Sequence, residues 1–216
     1  MTAEMQQKIQ EAGVIAVLVI DDVRHAVPAV KALLKGGVKA IELTLRTPAA
    51  YEAARVIKRE VPEMLLGFGT VITKEQVRMA VAIGADFAVA PGCNVDIIDE
   101  ARRLGLNFGP GIMTPSEIEM AVEHGCQTLK YFPAETSGGM TNLKSMVAPY
   151  QYLGLKFIPL GGLNEVNTAA YFASPLISAI GGSWIAKRPL IQAEDWETIT
   201  ANAKAVMALM KQVRKG

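Results

Sequence analysis

At five places the chain ends a helix-like stretch on glycine and starts a short β-type run within one to three residues. The junctions are Gly36-Gly37-Val38-Lys39-Ala40-Ile41, Gly84-Ala85-Asp86-Phe87-Ala88-Val89, Gly105-Leu106-Asn107-Phe108, Gly125-Cys126-Gln127-Thr128-Leu129 and Gly154-Leu155-Lys156-Phe157-Ile158. Glycine tolerates the left-handed backbone that closes a helix, so each junction marks passage from a helix into the next strand. Between the junctions lie amphipathic stretches opened by cap-forming residues: Asp21-Asp22 before 23–35, Thr47-Pro48 before 49–60, Thr73 before 74–83, and Thr114-Pro115-Ser116-Glu117 before 118–124. Ser, Thr and Asp side chains satisfy the free N–H groups of a first helical turn, and proline fits there.

The β-type runs fall near 14–20, 38–45, 64–68, 86–90, 107–109, 128–132, 156–160 and 176–181. Eight strand-helix units predict an α/β fold: a single (β/α)8 TIM barrel occupying 1–216, with an extra N-terminal helix over 2–11 and a closing helix over 195–214. The length suits one hydrophobic core, and no Pro-, Gly- or Ser-rich linker divides it. Half the residues are hydrophobic but only 6% aromatic, so the core must be aliphatic, as in sheets covered by helices rather than an all-β sandwich. The competing fold is an open doubly wound sheet, although Gly67-Phe68-Gly69 lacks the dinucleotide-binding fingerprint that would favour it.

Lys plus Arg (22) nearly balances Asp plus Glu (21), with no long run of either sign, so neither nucleic acid nor an anionic membrane is an expected partner. The N-terminus reads as a polar helix start rather than a signal peptide, and no apolar run is long enough to span a bilayer, which predicts a cytoplasmic protein. Cys93 and Cys126 sit among small and apolar neighbours as buried free thiols do, too few for a disulfide scaffold. His25 and His124 lie in no cluster with metal-ligand spacing, so no metal is expected.

In a barrel, function gathers where strands run into their following loops. The second expected strand alternates strictly, with Ile41, Leu43 and Leu45 on one face and Glu42, Thr44 and Arg46 on the other. The apolar set should pack beneath helices while the polar set points inward. A structural Glu42–Arg46 pair is the plain alternative to chemistry. The sixth strand places Lys130 inside an apolar run, where desolvation favours the neutral amine that attacks a ketone. The competing account is a lysine whose stem packs in the strand while its head reaches water. Imine chemistry also needs proton transfers, for which Glu42 is the inward-facing candidate.

Gly161-Gly162 and Gly181-Gly182-Ser183 follow the seventh and eighth expected strands. Paired glycine turns at these positions admit an anion to backbone N–H groups and predict a phosphate site; taken singly they would be plain turns. Thr70, at the third strand end, is a carboxylate ligand alongside Arg46 or else a helix cap.

The segments Ile41-Glu42-Leu43-Thr44-Leu45-Arg46-Thr47, Gly69-Thr70-Val71, Ala90-Pro91-Gly92, Pro110-Gly111-Ile112-Met113-Thr114, Leu129-Lys130-Tyr131-Phe132-Pro133-Ala134-Glu135, Gly161-Gly162 and Gly181-Gly182-Ser183-Trp184 span nearly the whole chain. In this order and spacing they resemble the bacterial 2-keto-3-deoxy-6-phosphogluconate (KDPG) aldolase family, whose members often also act on 4-hydroxy-2-oxoglutarate (KHG). The resemblance implies Lys130 as Schiff-base lysine, Glu42 as general acid/base, and Arg46 and Thr70 near the pyruvate carboxylate. It further implies a phosphate cradle of Gly161, Gly162, Gly182 and Ser183, a homotrimer, and no need for metal or other cofactor. The implied substrates are a 2-keto acid and a phosphosugar acid.

Four positions depart from the family pattern. Leu160 stands where similar sequences carry Thr, a hydroxyl associated with reading the substrate C4 configuration. Phe68 replaces a small residue and either narrows the pocket or packs behind it. Val19 takes a position where some relatives carry Arg, and Ala90 one where Ser is frequent. The alternatives left open are an aldolase for the galactonate-derived phosphosugar acid, a relative preferring unphosphorylated 4-hydroxy-2-oxoglutarate, a phosphosugar isomerase or epimerase on the same fold, and a non-catalytic phosphosugar-binding barrel.

Overall fold

The computed structural model describes residues 1–215. Among them, nine strands form two sheets with parallel pairing throughout. The first holds β1 (Val14–Leu18), β2 (Ala40–Thr44), β3 (Leu65–Gly69), β4 (Phe87–Val89), β5 (Phe108–Gly109) and β9 (Ile180–Gly182), in the order β5-β4-β3-β2-β1-β9. The second holds β6 (Gly111–Ile112), β7 (Thr128–Tyr131) and β8 (Lys156–Pro159) in that order.

Two strand expectations are corrected at the seams between the sheets. The fifth strand, expected at 107–109, is two short strands interrupted by Pro110, which has no N–H to give a ladder. Its carbonyl still accepts a hydrogen bond from the Lys130 amide at 2.8 Å. The last strand, expected from 176, is regular only from Ile180. The residues before it are tied to β8 by Phe157 N–H to Leu176 O (2.9 Å) and Ser178 N–H to Phe157 O (3.1 Å).

Ten α-helices accompany the strands: α1 (Ala3–Ala12), α2 (Ala26–Lys35), α3 (Ala50–Glu60), α4 (Lys74–Ile83), α5 (Val95–Arg103), α6 (Pro115–Glu123), α7 (Gly139–Val147), α8 (Thr168–Phe172), α9 (Arg188–Gln192) and α10 (Trp196–Lys215). Each of the five glycine junctions carries a glycine at positive φ, as the helix-to-strand reading requires. Thr73 with Gln76 and Thr114 with Glu117 form reciprocal capping boxes. Thr47 does not cap α3; its hydroxyl donates instead to the Ile20 carbonyl at 2.5 Å, holding the loop after β1 against the loop after β2.

Alternation along the strands separates two apolar layers. Leu18, Ile41, Leu43, Leu66, Phe68, Leu129, Tyr131, Phe157 and Ile180 join the large cluster shared with the helices. Ile15, Val17, Ala40, Phe87, Val89, Ile158 and Leu160 form a second cluster, which Met5, Ile9 and Ala12 of α1 complete. Cys93 and Cys126 are free thiols, and burial pushes Cys93 up to about 11.

Candidate active site

On β2 the apolar and polar faces divide as the alternation predicts. Ile41 and Leu43 are wholly buried against helices, and Glu42 and Thr44 are withdrawn from solvent on the opposite face. Lys130 on β7 shares that face, since its neighbours Leu129 and Tyr131 belong to the helix-side layer. Lys130 Nζ donates to Glu42 Oε1 at 3.0 Å and Oε2 at 3.2 Å, across 88 positions of sequence. Both side chains are about 5% exposed or less. Among the described residues no other ion pair is so deeply withdrawn on both sides. The lysine head therefore does not run out to water, and Glu42 pairs with Lys130 rather than with Arg46.

Room for the carboxylate comes from β3. A Cβ on Gly69 would collide with the Glu42 carboxyl group, so the strand must carry glycine there. The sequence reading of Gly67-Phe68-Gly69 missed this role, although the spacing of the two glycines places both on the same face. Phe68, between them, points the other way and packs edge-on to Tyr51, with ring centroids 6.1 Å apart. It stands behind the site and does not narrow it.

The ion pair lies in a cavity of about 140 Å3 that Arg46, Thr70, Gly161, Gly162 and Ser183 also line. Arg46 lies just beyond β2 and is exposed, and no side chain of the described residues is bonded to it. Thr70 is free to face the cavity because α4 is capped by Thr73 instead. Pro91 and Phe132 complete the wall, with the Phe132 centroid 5.5 Å from Lys130 Nζ; both were missed as lining residues. Four roomier hollows, of about 510 Å3 between α2 and α10, 440 and 230 Å3 beside Trp184 and 270 Å3 beside Met1, hold no buried ion pair.

Of the glycine turns, Gly161, Gly162, Gly181 and Ser183 line the cavity, and Gly182 stands between the last two. A Cβ on Gly182 would strike the Trp184 ring, whereas one on Gly181 would strike Leu160. The signal for Gly181 was available: Ile180 packs beneath helices, so strict alternation turns Gly181 inward and Gly182 outward. Leu160 lies 5% exposed on the cavity wall, against Gly181. Val19 lies one residue beyond β1, and Ala90 is buried.

The profile of the KDPG and KHG aldolases matches residues 5–202 of this chain. The chain belongs to that family. A 2-dehydro-3-deoxy-phosphogluconate aldolase of Pseudoalteromonas atlantica is 39% identical over 203 residues, 94% of each chain. The KHG/KDPG aldolase of Escherichia coli K12 is 37% identical over 88% of this chain and 89% of its own. Among solved structures, the KDPG aldolase of Legionella pneumophila, which holds pyruvate captured at low pH as a covalent carbinolamine, superposes with a TM-score of 0.89. It is 35% identical and covers 93% of this chain and 97% of its own.

KDPG and KHG aldolases are carbon–carbon lyases, so the chain belongs to a family of enzymes. Among the described residues, no group of three or more His, Cys, Asp or Glu side chains is arranged to hold a metal ion. Its two histidines face carboxylates instead, His25 with Glu194 at 3.3 Å and His124 with Asp99 at 2.9 Å. No described helix is long and apolar enough to cross a membrane.

Proposed function

We propose that this chain is a class I aldolase that reversibly cleaves 2-keto-3-deoxy-6-phosphogluconate to pyruvate and glyceraldehyde 3-phosphate, and 4-hydroxy-2-oxoglutarate to pyruvate and glyoxylate. The observation that carries this reading is the buried Lys130–Glu42 pair, 3.0 Å apart at a cavity also lined by Arg46 and Thr70. Glu42 accepts a proton from Lys130, and the free amine adds to the C2 ketone. Glu42 returns that proton to the carbinolamine hydroxyl, which leaves as water, so that a protonated imine faces a carboxylate again. Glu42 then takes the C4 hydroxyl proton while the C3–C4 bonding electrons pass into the imine, releasing the aldehyde and leaving an enamine. Protonation at C3 and hydrolysis return pyruvate and the amine. The imine is itself the electron sink, so the steps as written need no metal.

Arg46 and Thr70 hold the carboxylate of the keto acid, the arginine through its two-pronged donor face. The turns at Gly161-Gly162 and Gly181-Gly182-Ser183 receive the phosphate. The two sheets are arcs of one closed (β/α)8 barrel, a single domain over 1–216, to which the hydrogen bonds around Pro110 and Phe157 contribute the seams. The working form is a cytoplasmic homotrimer, as the family resemblance implies.

Borohydride reduction in the presence of pyruvate tests the chemistry, with intact-mass detection and peptide mapping. One adduct on Lys130, absent from Lys130→Ala, is the expected result. A folded wild-type protein that forms no adduct over a range of pH removes the reading. Leu160 favours a second substrate as well. An apolar wall offers the C4 hydroxyl no hydrogen-bond partner, so the galactonate-derived epimer should be cleaved with kcat/KM within about tenfold of the gluconate one. A ratio above about a hundred would show that another group reads C4.

A further inference from the structure

The two peptide planes that make the Gly161-Gly162 turn are each held by their carbonyl ends. Gly161 O accepts the Glu135 amide at 3.0 Å. Gly162 O accepts the side-chain amides of Asn167 at 3.1 Å and Asn164 at 3.4 Å. None of these three donors belongs to the cavity wall, whereas Gly161, Gly162 and Leu163 all do. Carbonyl and N–H of a trans peptide point in opposite directions. Anchoring both carbonyls behind the turn therefore presents the Gly162 and Leu163 N–H groups to the cavity, and among the described residues neither donates to any group of the chain. Positive φ at Gly161 (93°) and Gly162 (81°) permits this geometry.

Asn167 is the pivot of the arrangement. Its Oδ1 accepts the Asn164 N–H at 2.8 Å while its Nδ2 holds Gly162 O, so one planar amide group locks the next loop residue and the turn together. Asn164 Oδ1 in turn accepts the Val166 N–H at 2.8 Å and the Asn167 N–H at 3.3 Å. We infer that Asn167, seconded by Asn164, is a positioning residue for the phosphate of the substrate: it touches no reacting atom and fixes the direction of the Leu163 N–H. The inference rests on the phosphate cradle of the proposed function.

The role predicts an effect confined to phosphorylated substrate. Asn167→Asp keeps the acceptor for Asn164 N–H but replaces the donor to Gly162 O with a second oxygen, and Asn167→Ala removes the group without adding charge. Both are expected to raise KM for 2-keto-3-deoxy-6-phosphogluconate roughly tenfold, the worth of one peptide hydrogen bond, with a smaller change in kcat. Cleavage of unphosphorylated 4-hydroxy-2-oxoglutarate and pyruvate adduct formation should stay at wild-type level, which also shows the variants to be folded. Inorganic phosphate should inhibit 4-hydroxy-2-oxoglutarate cleavage by wild type more strongly than by either variant. Folded variants that retain wild-type KM for the phosphorylated acid, or that lose both substrates equally, overturn the positioning role. A wild type indifferent to inorganic phosphate and to the phosphate on its substrate overturns the cradle and, with it, the inference.

Discussion

Two glutamates of this protein are withdrawn from solvent and salt-bridged, yet they are held in opposite ways. Glu100 on α5 is gripped by two arginines: Arg78 Nε on Oε1 at 2.9 Å, Arg103 Nε on Oε2 at 2.9 Å and Arg103 Nη2 on Oε1 at 3.0 Å. The arginines themselves are more than 60% exposed. Hydrogen bonds from Arg103, and then from Arg78, hold the Glu100 carboxyl down at about 2 against the opposing pull of desolvation. Glu42 has one partner, a lysine as buried as itself, and both face a cavity. Two permanently charged forks commit a carboxylate to remaining an anion. A lone ammonium makes no such fork, and in the proposed mechanism it hands its proton to the carboxylate. A buried salt bridge alone marks no active site; the cavity beside Lys130 and Glu42 is what sets this pair apart from the one on α5.

Removing Lys130 should break this contrast most severely. Lys130→Ala is expected to bring cleavage to background and to leave an uncompensated buried carboxylate, which costs about 3–5 kcal/mol of stability when a buried pair is broken. Progress curves and thermal melts measure the two effects, and near wild-type turnover would refute the imine mechanism. Glu42→Gln keeps the shape but not the proton acceptor; kcat should fall by roughly 10²–10⁴, while the borohydride adduct on Lys130 still forms. Unchanged kcat in that variant would assign proton transfer to another group.

The smallest kinetic effect belongs to Glu100. Glu100→Gln should leave kcat and KM alone and lower the melting temperature at neutral pH. Its carboxyl is depressed from an ordinary 4.5 to about 2, so its stabilisation is fully present above about 4.5 and is lost as pH falls toward 2. The gap in melting temperature between wild type and Glu100→Gln should therefore narrow as pH is lowered below 4.5. A gap that stays constant through pH 3 would mean that the carboxylate charge contributes nothing.

Much of this was legible because it depends on local periodicity. Strict alternation over 41–46 sorted Glu42 from Leu43 before any neighbour was known, and an isolated lysine in Leu129-Lys130-Tyr131-Phe132 marked the interior of a strand. The glycine junctions foretold helix ends because the left-handed cap is a single-residue property. What escaped depends on contact between distant segments. Nothing near Gly69 in sequence reveals that the Glu42 carboxylate needs its space, and Asn167 looks like any turn residue until the Gly162 carbonyl is found beside it. The short strand Gly111–Ile112 went unread because the expected fifth strand stopped at 109, before a proline that cannot donate to a ladder.

The inner apolar layer, completed by Met5, Ile9 and Ala12 of α1, has a consequence for traffic. Met5, Ile9 and Ala12 pack with Ile15, Ala40, Phe87 and Ile158, and so put apolar bulk behind the cavity of Lys130 and Glu42. In the proposed chemistry the aldehyde leaves first because the keto acid stays bonded to Lys130 until hydrolysis, and a helix that meets neither product backs the chamber in which this happens.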